Sequence, residues 1–130
     1  MKKGNAKLVL IGLLAFTALA WLGLLKNQID SSSAYRKYLE QGQRYEEKGI
    51  YIDALESYEK ALELNSGSYD ITMKLADMYY QVGDYKGFLA CCDKAIELAP
   101  KDPQAYLKKA DYYMAVSYTH LRAHETCADL

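Results

Sequence analysis

His120, His124 and Cys127 form H-x3-H-x2-C, a spacing that on one helix turns two imidazoles and a thiolate to the same side, as zinc ligands require. Cys91 and Cys92 are neighbours, as in a vicinal redox pair, and Glu46, Glu47 and Asp77 offer carboxylates for acid–base work. Each group needs an element that aims it. Neighbouring side chains on a helix point about 100° apart, so the two cysteines cannot face one site, and a bond between them demands strained geometry. They read as small apolar packing residues. The carboxylates stand in a chain rich in acids, without a nucleophile, base and orienting group in a set, so they read as solvated helix faces. Three ligands are only the minimum shell of a catalytic zinc. No catalytic residue, metal or cofactor is therefore expected.

The elements that would carry these groups repeat. Glu59-Lys60-Ala61-Leu62-Glu63-Leu64 returns thirty-four positions later as Asp93-Lys94-Ala95-Ile96-Glu97-Leu98. The same offset relates Gly49 to Gly83, Tyr51 to Tyr85, and Tyr45 to Tyr79 and Tyr113, while small residues recur as Gly42, Ala76 and Ala110. A period of about 34 residues is that of a helical hairpin. Small residues fall where two helices approach closely, large apolar ones fill the groove between hairpins, and a glycine breaks the chain between helices.

These residues resemble the tetratricopeptide repeat family. A first unit matches its pattern with Tyr38, Gly42, Tyr45, Gly49, Ala54, Tyr58 and Ala61, with Ser66 at the proline position. A second matches with Ala76, Tyr79, Gly83, Ala95 and Pro100, but has Thr72 at an aromatic position, Phe88 at a small one and Cys92 at another aromatic one, so its second helix is expected slightly off register. A third supplies only Tyr106, Ala110 and Tyr113. The resemblance implies an all-α solenoid of antiparallel hairpins that binds a protein or peptide partner, with no enzymatic activity.

The pattern stops where residues 116–126, VSYTHLRAHET, resemble one frame of a transposase-type sequencing-library adapter, with residues 127–130 readable as its continuation. Met114 is therefore expected to be the last authentic residue, and both histidines and Cys127 fall outside the protein proper. Without residues 116–130 the chain holds 15 basic and 15 acidic residues and two cysteines. Lys2, Lys3 and Lys7 crowd the start and the remainder is mildly acidic, so the basic face of a nucleic-acid binder is missing.

Residues 8–25 are apolar apart from Thr17 and glycines, and at 1.5 Å per residue they span about 27 Å, close to a hydrocarbon core. Lysines before this run and only Lys26 after it place the amino terminus in the cytoplasm and the repeats outside, with Trp21 near the outer interface. The lysine-led start is of the bacterial kind. Ala18-Leu19-Ala20 is an A-x-A pattern that a cleaved signal peptide would use, but the apolar run continues to Leu25, which favours an uncleaved anchor in the cell membrane.

The expected organisation is a cytoplasmic basic segment (1–7), a transmembrane helix (8–25), a polar tether (26–34), two repeat units (35–68 and 69–102), the first helix of a third (103–114) and an adapter-derived tail (115–130). Helices are predicted over residues 34–48, 51–64, 69–81 and 85–98, with a fifth from 103, Ser68, Asp84 and Asp102 acting as caps. The face of the fifth helix carrying Tyr106, Leu107, Ala110 and Tyr113 has no partner helix, so the natural protein is expected to continue, with more repeats or another domain. By resemblance the first helix of each hairpin lines a concave groove: Arg36, Leu39, Gln43 and Glu46, then Met73, Asp77 and Tyr80, then Gln104, Leu107 and Asp111. Such a mixture of apolar, acidic and amide groups suits a peptide of alternating basic and apolar side chains. The family variant that clamps a terminal carboxylate uses lysine and asparagine where Leu39, Gln43, Met73 and Asp77 stand, so chaperone-tail binding is not expected.

Overall fold

The computed structural model describes the backbone of residues 2–128, all of it arranged around five helices: α1 (Lys2–Glu47), α2 (Tyr51–Leu64), α3 (Tyr69–Val82), α4 (Tyr85–Leu98) and α5 (Pro103–Ala128). Two antiparallel hairpins, α1–α2 and α3–α4, stack in order, and α5 closes on α4.

Local chemistry sets the boundaries. Gly49 and Gly83 take positive φ of 71° and 81°, which a side chain resists. At each, the last carbonyls of the helix are satisfied by the turn: Ile50 N–H donates to Tyr45 O at 2.9 Å and Gly49 N–H to Glu46 O at 3.0 Å, and Asp84 and Gly83 do the same to Tyr79 and Tyr80. Ser68 Oγ accepts from Ile71 N–H, Asp84 Oδ1 from Gly87 N–H at 3.0 Å, and Asp102 Oδ1 from Gln104 N–H at 2.9 Å, with Pro103 opening α5. Those caps are the predicted ones.

Both end helices are longer than the repeat helices, and in α1 this differs from the expected tether. Helix α1 runs without a break through residues 27–33, where a polar tether is expected. The serines there return their hydroxyls to the backbone instead of capping, Ser31 to Gln28 O, Ser32 to Ile29 O and Ser33 to Asp30 O at 2.8–3.0 Å, which lets a helix continue through them. At the other end, Ser117 occupies the place of Gly49 and Gly83, and no residue other than glycine takes positive φ among the described residues. With no glycine to turn on, α5 extends straight to Ala128.

The core lies between the hairpins. Ala54, Tyr58 and Ala61 recur at helical spacing on α2 and pack with Ile71, Leu75 and Met78 of α3, with Tyr35, Tyr38, Leu39 and Tyr45 of α1 against them. Tyr58 is 0 % exposed and its ring lies over Gly42, where a Cβ would come within 2.7 Å of it. In the second hairpin Ala76, Phe88 and Cys92 form the equivalent cluster, and α4 keeps the bounds of α2 shifted by thirty-four. The helix bounds carry no offset, and the close approach on α4 falls at Gly87, one residue before Phe88, the counterpart of Ala54. Gly87 has no side chain and Tyr79 packs on its Cα, while Phe88 beside it is buried with Ala76 and Cys92.

Candidate binding surface on the first helices

The predicted groove residues separate by depth. Met73 is only 8 % exposed and packs with Ala95 and Ala105, so it is core rather than groove. Leu39, one period earlier, packs half-buried against the α2–α3 core. Met73 is thereby corrected from groove to core, while Leu39 is only partly covered: this position of a first helix faces its own second helix and the next first helix. Leu107, one period later, is 58 % exposed. Tyr106 and Tyr113 on α5 are about half exposed and Ala110 is exposed on the same helix.

Arg36, Gln43 and Gln104 are exposed. Glu46 is held, not free. Its carboxylate accepts Tyr58 Oη at 2.6 Å and Lys74 Nζ at 2.9 and 3.0 Å, tying α1 to α2 and α3 at once. Partial burial opposes the charge, but the bonds from Tyr58 and Lys74 and the ammonium charge outweigh it, and the carboxyl stays below its ordinary range. Burial and the adjacent Glu46 carboxylate in turn raise Tyr58. Tyr79 Oη donates to Glu59 at 2.6 Å, and that bond together with burial raises Tyr79 likewise.

One period along, Lys108 of α5 donates to Asp77 of α3. Asp77, Tyr80 and Asp111 from the predicted set converge with Phe88, Lys108 and Tyr112 on a recess of about 270 Å³ between α3, α4 and α5. Arg36 and Gln43 do not reach it. Lys74, Lys108, Phe88 and Tyr112 were missed by the sequence reading. The lysines had a signal: they stand thirty-four apart and each three residues before a groove acid, Asp77 or Asp111. Phe88 and Tyr112 had none, since only the packing of α5 on α4 brings them together.

The groups with chemical potential elsewhere are placed plainly. Cys92 is buried beside Ala76 and Phe88, and burial, with its neighbour, pushes the Cys91 thiol up to about 11, so neither is a ready nucleophile at neutral pH. His120 and His124 face each other on exposed α5 with ring centroids 4.9 Å apart, and Cys127 is exposed beyond them. Glu47 is exposed.

A tetratricopeptide repeat family model matches residues 47–112, half of the chain. The chain belongs to the tetratricopeptide repeat family. Its repeats suggest a scaffold for protein–protein interaction, and the family is in general a non-catalytic one that binds proteins or peptides. A comparison with curated proteins found no match. In this tetratricopeptide chain α1 is also long and apolar enough to cross a membrane by length and composition, and the side chains of its apolar run are solvent-exposed throughout.

Proposed function

We propose that this chain is a membrane-anchored tetratricopeptide scaffold that binds a protein or peptide partner on the extracytoplasmic side through the exposed surfaces of α1, α3 and α5. The observation that carries this reading is that one continuous helix bears both an uncovered apolar run and the first groove surface. Leu8, Leu14, Phe16 and Leu22 have no protein packed on them, which a bilayer would remedy. Lysines before the run orient it with the amino terminus in the cytoplasm. Along the groove, Arg36, Gln43, Glu46, Asp77, Tyr80, Gln104, Leu107 and Asp111 remain the contact set, with Leu39 and Met73 supporting them from the core.

Changing Asp77 and Tyr80 together is expected to weaken partner capture without lowering helicity by circular dichroism; loss of helicity would mean that these residues hold the fold. Reporter fusions after Asn27 and at the amino terminus test the topology, and a cytoplasmic reporter signal after Asn27 sinks it. A mature protein beginning at Trp21 would turn the anchor into a cleaved leader and the scaffold into a secreted or periplasmic binder.

The half-exposed Tyr106, Leu107 and Tyr113 favour one second reading, in which these repeats are the stalk of a longer protein whose activity lies downstream. On either reading residues 115–130 are adapter-derived. Sequencing the native locus across the Met114 codon tests both points at once: an uninterrupted frame into a second helix and further repeats supports the scaffold, and a frame into an unrelated domain supports the stalk.

A further inference from the structure

The recess between α3, α4 and α5 combines a buried phenylalanine, two tyrosines and two carboxylates. Its floor is Phe88, buried at 3 % exposure. Tyr80 and Tyr112 form the walls, their ring centroids 5.3 and 5.6 Å from that of Phe88. Tyr85 completes a circuit of rings behind them, 5.7 Å from Tyr80 and 5.3 Å from Tyr112. Aromatic faces carry the negative lobe of a quadrupole and attract a cation held over them. The rim adds Asp77 and Asp111, against a single base, Lys108, whose ammonium is engaged by Asp77. Asp111 makes no hydrogen bond or ion pair among the described residues, so the recess presents one uncompensated carboxylate beside π faces.

We propose that this recess receives one cationic side chain, an arginine, from the scaffold's peptide partner; the proposal rests on the reading of the first-helix surface as the binding face. A volume of about 270 Å³ takes one long side chain and excludes a helix. A neutral apolar guest would leave the Asp111 carboxylate desolvated and unpaired, and an acidic guest would be repelled. Arginine gains twice, because its planar guanidinium stacks on Tyr80 or Tyr112 while its edge offers a forked pair of donors to Asp111, which the compact lysine ammonium cannot match. The equivalent place between α1 and α3 is no such receptor. One period earlier Glu46, Ala54 and Met78 stand where Tyr80, Phe88 and Tyr112 do, so no ring lines that place; Glu46 is occupied by Tyr58 and Lys74, and Asp77, the counterpart of Asp111, is engaged by Lys108.

The test is a titration of the full chain, held in detergent micelles, with N-acetyl-arginine amide, following the aromatic NMR signals of Tyr80, Tyr112 and Phe88. The citrulline and norleucine counterparts serve as neutral controls. Arginine amide is expected to shift these signals saturably, to bind at least about tenfold more tightly than citrulline amide and to weaken with added salt. Asp111→Asn, at an exposed position, is expected to lower that affinity at least about threefold with thermal unfolding unchanged. Equal binding of the citrulline or norleucine compound, or no effect of Asp111→Asn, overturns the proposal. Panning a random heptapeptide library on the same micellar protein separates this failure from that of the scaffold reading. Selected sequences rich in arginine support the receptor. Selected sequences without a basic residue overturn it and leave the binding face standing, and no selected sequence at all overturns both.

Discussion

The two hairpins make their closest tyrosine–glycine contact in opposite directions. In the first, the bulk comes from the second helix: Tyr58 of α2 lies over Gly42 of α1 and reaches Glu46 with its hydroxyl. In the second, the bulk comes from the first helix: Tyr79 of α3 lies over Gly87 of α4, while the counterparts of Gly42 and Tyr58 are the mid-sized Ala76 and Cys92. Both hairpins keep the same helix lengths and offset. The contacts stand at different positions of the repeat, since the counterparts of Tyr79 and Gly87 are Tyr45 and Asp53, so each hairpin closes on its own pair while keeping the same helix bounds.

The interfaces between units differ as well. Ile71, Leu75 and Met78 of α3 meet α2 as an aliphatic row. One period later α5 meets α4 with Ala105, Lys109 and Tyr112, and Lys109 pairs with Asp93 at 2.5 Å. Replacing a leucine by a lysine at the centre of this row makes the second interface more polar, and its tyrosine is what walls the recess.

The most severe way to separate the hairpins is to remove the bulky member. Tyr58→Ala is expected to cost about 3–5 kcal/mol, since it empties a fully buried site and leaves Glu46 with Lys74 alone; Cys92→Ala, its counterpart, should cost about 1 kcal/mol. Equal losses in urea unfolding of the full chain would mean that Tyr58 holds the first hairpin no more firmly than Cys92 holds the second. Ala54→Phe should overpack the first hairpin by about 1–3 kcal/mol. Adding Asp53→Gly, which copies the Gly87-Phe88 pair of α4, is expected to recover part of that loss, and unchanged thermal unfolding of the single variant would refute the register. Gly83→Ala forces a side chain into positive φ and should cost about 1 kcal/mol, whereas Ser117→Ala at the equivalent place in α5 should stabilise by a few tenths, read by the helical signal on heating.

Acid offers a finer comparison. Glu46 has a folded pKa below its ordinary 4.5, so the stability it contributes is present above that value and is lost as pH falls through the lower folded one. Glu46→Gln is expected to be less stable at neutral pH and flatter in its acid unfolding below 4.5, and an unaltered acid limb would show that the Tyr58–Glu46–Lys74 linkage contributes nothing. The smallest effect is expected for Lys109→Leu, which gives the second interface the residue of the first. Loss of the Asp93 pair and gain of apolar contact should nearly cancel, within about 1 kcal/mol.

Much of the fold was legible because periodicity and punctuation are local. The offset of thirty-four, Gly49 and Gly83, the caps Ser68, Asp84 and Asp102, and the Pro103 start place α2, α4 and the beginning of α5 at their observed bounds. Residues 27–33 were misread because serine can cap a helix or bond back into it, and only the continuation on both sides decides which. Of the surface, Asp77, Tyr80 and Asp111 were legible as recurring first-helix positions, but Leu39 and Met73 were not, since a large apolar residue at such a position is groove or core according to what packs beside it.

By itself, then, the sequence determined the family, the helical hairpins and their turns, because hydrogen-bond caps, glycine dihedrals and apolar spacing act over a few residues. Tertiary structure alone decided that Tyr58 lies over Gly42 and Tyr79 over Gly87, that Glu46 is bound by both α2 and α3, and that Phe88 and Tyr112 meet Asp111 in one recess. Those facts depend on side chains from different helices sharing one volume, and no window of the chain contains both partners.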